Sequence, residues 1–222
     1  MDVFPKDLME RLHQEGVMAV LVIERVEDAV PLARALSGGG IRVIELTLRT
    51  QAALEAMGRI RNEVPEMLVG VGTILTPEQA IAVKSLGAAF GVAPGLNPRV
   101  VKAAVECGLP FAPGVCTPSE VELALEQGCR LMKLFPSEPL GGLSYLRTLS
   151  SPFVHLGVRF IPLGGVHQGN AESYLREHLV TALGGSWIAP KDRIDARDWE
   201  SIRRNAMQAT QTVACVRGGL GA

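Results

Sequence analysis

LVGVGTILTPEQAIAVKSLGAAFGVAPGLNPRVVKAAVECGLPFAPGVCTPSEVELALEQGCRLMKLF, residues 68–135, states one structural unit three times. Thr76-Pro77 with Gln79, Asn97-Pro98, and Thr117-Pro118 with Glu120 each put a capping side chain before a proline at the first helical position. The Thr76 and Thr117 starts also carry the Gln or Glu three residues on that completes a capping box. The starts lie 21 and 20 residues apart, the length of one strand plus one helix. Gly87, Gly108 and Gly128 close the three helices, glycine being the usual residue just past a helix end. Between them run Leu68–Val71, Ala88–Val92, Pro110–Val115 and Leu131–Phe135, apolar almost without interruption, as strands covered on both faces should be.

Outward from that stretch the rhythm continues. Met18–Ile23 and Ile41–Leu46 precede it, and Val158–Leu163 and Val180–Leu183 follow, giving eight candidate strands. Eight strand–helix units in 222 residues predict an α/β chain folded as a (β/α)₈ TIM barrel. An extra N-terminal helix is expected over Pro5–Glu15, stopped by Gly16. A last helix near Trp199–Val213 carries Trp199, Ile202, Ala206 and Val213 on one stripe. The domain reading is a single barrel over 1–222, with residues 1–16 as the N-terminal helix and 217–222 as a frayed tail. The alternative is a doubly wound open sheet, but no GxGxxG follows the first strand and no break in composition divides the chain.

Composition narrows the function. Lys plus Arg number 22 and Asp plus Glu 23, a net charge of -1, which argues against a dedicated nucleic-acid binder. Cys107, Cys116, Cys129 and Cys215 are scattered without a CxxC, so neither a zinc site nor a disulfide framework is expected. The longest early apolar run, Val17–Ile23, falls far short of the roughly 20 residues that span a bilayer. Asp2, Lys6, Asp7, Glu10 and Arg11 interrupt any signal-peptide core. A cytoplasmic protein with no membrane partner is expected.

Polar residues inside greasy strands are the next signal. In Ile41–Arg49, Glu45, Thr47 and Arg49 share a face as long as the chain stays extended. An inward Glu45 needs a partner or a proton, because an isolated buried carboxylate is costly; a structural ion pair or a solvated, outward Glu45 is the alternative. Lys133 interrupts the sixth run. A lysine there is usually an edge-strand gatekeeper, but a closed barrel has no edges. A desolvated amine can attack a ketone, which makes Lys133 a candidate imine-forming nucleophile. Gly164-Gly165 after the seventh run and Gly184-Gly185-Ser186 after the eighth stand where such barrels often hold phosphate, although turns need glycine too. Gly38-Gly39-Gly40 reads as a helix end and turn. His13 and His178 are placed in helices at the surface and His155 in a loop, while His167 is close enough to Gly164-Gly165 to be considered beside an anion. No His pair has metal-ligand spacing with a carboxylate, so no metal is expected.

Taken in order, Glu45-Leu46-Thr47-Leu48-Arg49-Thr50, Gly70-Val71-Gly72-Thr73, Ala93-Pro94-Gly95, Pro113-Gly114, Lys133-Leu134-Phe135-Pro136, Gly164-Gly165 and Gly184-Gly185-Ser186 resemble the 2-keto-3-deoxy-6-phosphogluconate aldolase family, which includes 4-hydroxy-2-oxoglutarate aldolases. The resemblance runs from about Val17 to Pro190. It implies a class I pyruvate aldolase without cofactor or metal, acting on a phosphorylated 2-keto acid and releasing pyruvate. It implies that Lys133 forms the imine and Glu45 is the general acid/base. Arg49 and Thr73 would hold the substrate carboxylate, Pro94 and Phe135 would wall the imine, and Gly164, Gly165 and Ser186 would hold phosphate. It also implies a homotrimer. Leu163, Ala93, Ala19 and His167 depart from the family's commoner residues, which bears on substrate preference and not on Lys133 or Glu45. Two other classes compete: a phosphate-binding isomerase or epimerase on the same barrel, and a non-catalytic barrel in which Glu45, Arg49 and Lys133 form a structural ion cluster.

Overall fold

The structure, a computed structural model, describes residues 3–218. Its regular elements are α1 (Lys6–Glu15), β1 (Val17–Leu21), α2 (Ala29–Gly38), β2 (Val43–Thr47), α3 (Ala53–Glu63), β3 (Leu68–Gly72), α4 (Pro77–Ser85), β4 (Phe90–Val92), α5 (Pro98–Cys107), β5 (Phe111–Ala112), β6 (Gly114–Val115), α6 (Pro118–Glu126), β7 (Leu131–Leu134), α7 (Gly142–Ser150), β8 (Arg159–Pro162), α8 (Gln168–Leu175), β9 (Leu183–Gly185), α9 (Lys191–Asp195) and α10 (Trp199–Arg217). The expected tail, 217–222, lies outside the described residues from position 219 on, and Arg217 itself still closes α10.

The strands are parallel throughout and form two runs, β5-β4-β3-β2-β1-β9 and β6-β7-β8. They join into one barrel at two seams. The first is Pro113, which has no N–H to give a ladder. It splits the expected fifth strand into β5, paired with β4, and β6, paired with β7, while its carbonyl accepts the Lys133 N–H at 2.8 Å. At the second seam Val180 bridges Phe160, and Phe160 N–H donates to Leu179 O and Thr181 N–H to Phe160 O. The chain then reaches β9, whose Gly184 and Gly185 pair with Met18 and Ala19.

Two expectations change there. Gly184 and Gly185 lie within the last strand and not in the loop after it, so only Ser186 begins the turn. β2 ends at Thr47, so Arg49 leaves the face it was expected to share with Glu45.

The capping signals produce what they predict. Thr76 and Thr117 close capping boxes, and Asn97 accepts from the Arg99 N–H. Gly87, Gly108 and Gly128 take positive φ just beyond the helices. Side chains from the strands and their ends, such as Met18, Val43, Phe90, Leu131, Ile161 and Leu163, fill the barrel interior. Phe4 and Leu12, from the N-terminal arm and α1, join that cluster and plug the N-terminal end. Burying such a side chain contributes about 1.5–3 kcal/mol. The outward strand residues pack with the helices into a second, larger layer. With the bottom plugged, the C-terminal strand ends are the open face, where barrels of this kind keep their chemistry.

Candidate active site

Leu131 of β7 belongs to the interior cluster and Met132 and Leu134 to the outer layer, so alternation turns Lys133 inward. Gly114 pairs beside it on one flank and Ile161 on the other, which leaves no edge for a gatekeeper to guard. On β2 the same alternation turns Val43 and Glu45 inward. Lys133 Nζ donates to Glu45 Oε1 at 2.9 Å, and the two residues are 5% and 0% exposed. The outward, solvated alternative for Glu45 does not survive, and the buried pair with Lys133 is the ion pair that the other alternative named. Glu45 Oε2 is also buried and has no hydrogen-bond partner among the described residues. A buried carboxylate with one oxygen committed and one idle is poised for a further donor, since leaving a buried acceptor unmet costs about 1–3 kcal/mol or more.

Phe135, exposed just past the end of the same strand, sets its ring 5.5 Å from Lys133 Nζ. Thr73 directly follows β3 at φ 60, a left-handed conformation that a β-branched residue rarely takes, and it bends the chain at the mouth. The Pro94–Gly95 backbone lies over Gly114, where an added Cβ would come within 2.3 Å of the Pro94 carbonyl. Arg49 stands exposed in the turn after β2, with no side-chain hydrogen bond or ion pair among the described residues. Thr47, by contrast, is spoken for: its hydroxyl donates to Leu21 O at 2.9 Å.

Gly164 and Gly165 follow β8 at φ 87 and 84. The side chain of Leu163 packs on Gly184, so the mouths of β8 and β9 stand side by side. Among the described residues the backbone N–H groups of Gly164, Gly165 and Ser186 have no hydrogen-bond partner, while the Leu163 and Gly164 carbonyls accept from Ser137 N–H at 2.7 Å and Glu138 N–H at 2.9 Å. The loop thus spends its acceptors on the protein and keeps its donors free, as an anion site requires.

Ser137, Glu138 and Tyr174, which gave no signal in the sequence, brace this loop. Ser137 Oγ lies 2.8 Å from the Tyr174 hydroxyl, which donates to Glu138 Oε1. Burial, and then the Glu138 carboxylate, push that hydroxyl up to about 12, so it remains a donor. His167, considered beside an anion, caps a helix here. Its Nδ1 accepts the Gly169 N–H as the cap of α8. His178 lies in a turn, not a helix, and His155 in a short 3₁₀ segment.

Among the described residues no group of three His, Cys, Asp or Glu side chains is placed to hold a metal ion, and no helix is long and apolar enough to cross a membrane.

With this geometry in view, comparison with known proteins is direct. Residues 8–205 match the family model for KDPG and KHG aldolase. The chain is 45% identical to the 2-dehydro-3-deoxy-phosphogluconate aldolase of Treponema pallidum (strain Nichols), across 93% of this chain and 97% of that one. It is 42% identical to the KHG/KDPG aldolase of Escherichia coli (strain K12), across 88% and 91%. Among solved structures, the KDPG aldolase of Legionella pneumophila with pyruvate captured at low pH as a covalent carbinolamine intermediate is similar at a TM-score of 0.86 and 37% identity, covering 90% of this chain and 97% of that one.

Proposed function

The chain belongs to the KDPG and KHG aldolase family, and on that premise we propose that it cleaves 2-keto-3-deoxy-6-phosphogluconate into pyruvate and glyceraldehyde 3-phosphate through an imine on Lys133. The observation that carries the assignment of Lys133 is its buried contact with Glu45 at 2.9 Å. A nucleophilic amine must first lose a proton, and the Glu45 carboxylate is the base within reach. Attack on the C2 ketone gives a carbinolamine, and loss of water gives the protonated imine. The C3–C4 bond then breaks. Its electron pair enters the imine as an enamine, and the C4 hydroxyl proton passes to Glu45. Protonation of C3 and hydrolysis release pyruvate. The imine draws the electrons, so the scheme calls for no Lewis acid.

Arg49 suits the substrate carboxylate because its guanidinium is uncommitted and can grip two oxygens. Thr73 lies at the same mouth, Pro94 and Phe135 supply apolar walls, and the free N–H groups of Gly164, Gly165 and Ser186 suit the phosphate. The phosphate-free 4-hydroxy-2-oxoglutarate, split into pyruvate and glyoxylate, is the second substrate, since relatives carry both names. We also read the protein as a cytoplasmic homotrimer that binds no nucleic acid; Cys107, Cys116 and Cys215 are free thiols, as a reducing compartment keeps them.

The test is to incubate the protein with pyruvate and borohydride and locate the adduct by peptide mass. Reduction onto Lys133 is expected. An adduct elsewhere, or none at neutral pH, would remove the imine assignment.

A further inference from the structure

Glu45 does not stand straight across from its neighbour. In the β2–β3 ladder it pairs with Gly70, while Thr47 pairs with Gly72. Yet the carboxylate reaches past Gly70 to the place beside Gly72. A Cβ built on Gly72 would fall 1.9 Å from Glu45 Oε1, 2.6 Å from Cδ and 2.8 Å from Cγ. Those three atoms are its nearest neighbours. Gly70 offers no such room, because the Phe90 ring fills the space at 2.2 Å from its missing Cβ. Along the inward face of β3 the recess at Gly72 is therefore the one Glu45 occupies, two residues nearer the open mouth than its own backbone pairing. Gly72 lies in the strand with no positive φ, so backbone freedom does not call for glycine at this position. The missing side chain does.

We propose that Gly72 is a positioning residue of the aldolase reaction. It provides the recess that lets Glu45 lean toward the barrel mouth and meet Lys133, with Oε2 left over for the substrate's proton. The proposal rests on the proton-transfer role given to Glu45 above. Gly72→Ala puts a methyl where Oε1 now lies. Strand backbone cannot yield by the required ångström, so the carboxylate must swing away from Lys133. Turnover then falls while the residues that bind substrate stay in place.

The test is a double-mutant cycle of Gly72→Ala and Glu45→Ala, reading kcat and KM for aldol cleavage, borohydride trapping with pyruvate, and thermal melting. In the wild-type background Gly72→Ala should lower kcat by about 10²-fold, the scale of a displaced acid/base, with KM changed less than about threefold. In the Glu45→Ala background the space is empty, so adding Gly72→Ala should lower kcat by less than about twofold, and the melting temperature should stay that of Glu45→Ala. If Gly72→Ala alone fails to fold, the double variant should fold, because the clash has been removed. Equal losses from Gly72→Ala in both backgrounds, in activity or in melting, would overturn the proposal and make the glycine a requirement of the strand. Trapping keeps the two readings apart: loss of the Lys133 adduct in the wild type counts against the imine, whereas additivity with trapping intact counts against Gly72 alone.

Discussion

At the scale of single residues, the chemistry turns on two ionisable groups that the barrel hides from water. Lys133→Arg keeps the charge and the partner but removes the nucleophile, because a guanidinium stays protonated. It should abolish both cleavage and trapping while circular dichroism is unchanged; substantial turnover in a folded variant would exclude Lys133. Glu45→Gln keeps the shape and loses the base. Turnover should fall about 10²–10⁴-fold, and exchange of pyruvate's methyl protons, followed by NMR, should slow with it. An unchanged exchange rate would take Glu45 out of the mechanism. Lys133 was legible in the sequence because a charge inside an apolar run has few explanations once edges are gone. The pairing with Glu45 was not, since 88 positions separate the two residues and only strand register brings them to 2.9 Å. Gly72 was visible as a glycine but silent as to purpose. Only the neighbouring carboxylate tells its role.

At the scale of elements, prolines and caps spoke clearly and strand limits did not. Thr76, Asn97 and Thr117 announced three helices because capping is local chemistry. β9 was misplaced by about three residues. Val180–Leu183 is the greasy part of its stave, but hydrogen bonding to β1 continues through the two glycines. The shift leaves Ser186 as the first residue of the turn, with its backbone N–H free. Ser186→Ala tests its hydroxyl separately. It should weaken the phosphorylated substrate by about 10- to 150-fold in kcat/KM, the loss of a hydrogen bond to a charged group, and leave 4-hydroxy-2-oxoglutarate nearly unchanged. Equal losses would return the loop to a structural role. A second element-scale contact joins α7 to the turn after α8. Arg147 Nε meets the buried Glu177 at 2.7 Å. Burial alone would push Glu177 up, but the Arg147 hydrogen bond and charge outweigh it and hold the carboxyl below its ordinary 4.5. A depressed folded value means the stabilisation is complete above the unfolded value and is lost as pH falls through the folded one. Arg147 is largely exposed, so Glu177→Gln should cost only about 1 kcal/mol at neutral pH. In denaturant melts the gap should close below the carboxylate range. A gap constant with pH would mean packing, not charge, is at stake.

At the scale of the whole molecule, one side of the barrel is greasier than a free surface needs. Leu75 and Ile81 are each 52% exposed, Val105 51% and Leu86 41%. They lie on α4, on α5 and in the loops flanking α4, and the two helices pack against each other. α4 buries Ala80 and Val83 against the barrel yet presents Ile81 outward, so it is apolar on two sides, as a helix lying between two packed surfaces would be. This is the face that suits the threefold contact of the proposed homotrimer. Ile81→Glu tests it. On a free surface the change would be nearly neutral, within about 0.5 kcal/mol, and would leave the assembly as it was. Within a subunit contact it buries a charge without a partner and should break the trimer. Light scattering should then report the mass of one chain in place of three at micromolar concentration. Glu45, Lys133 and the Gly164 loop all come from one chain, so pyruvate trapping on Lys133 should persist in the dissociated variant. A variant that keeps the wild-type mass would place the contact on another face, and a wild-type protein that already measures as one chain would end the trimer reading altogether.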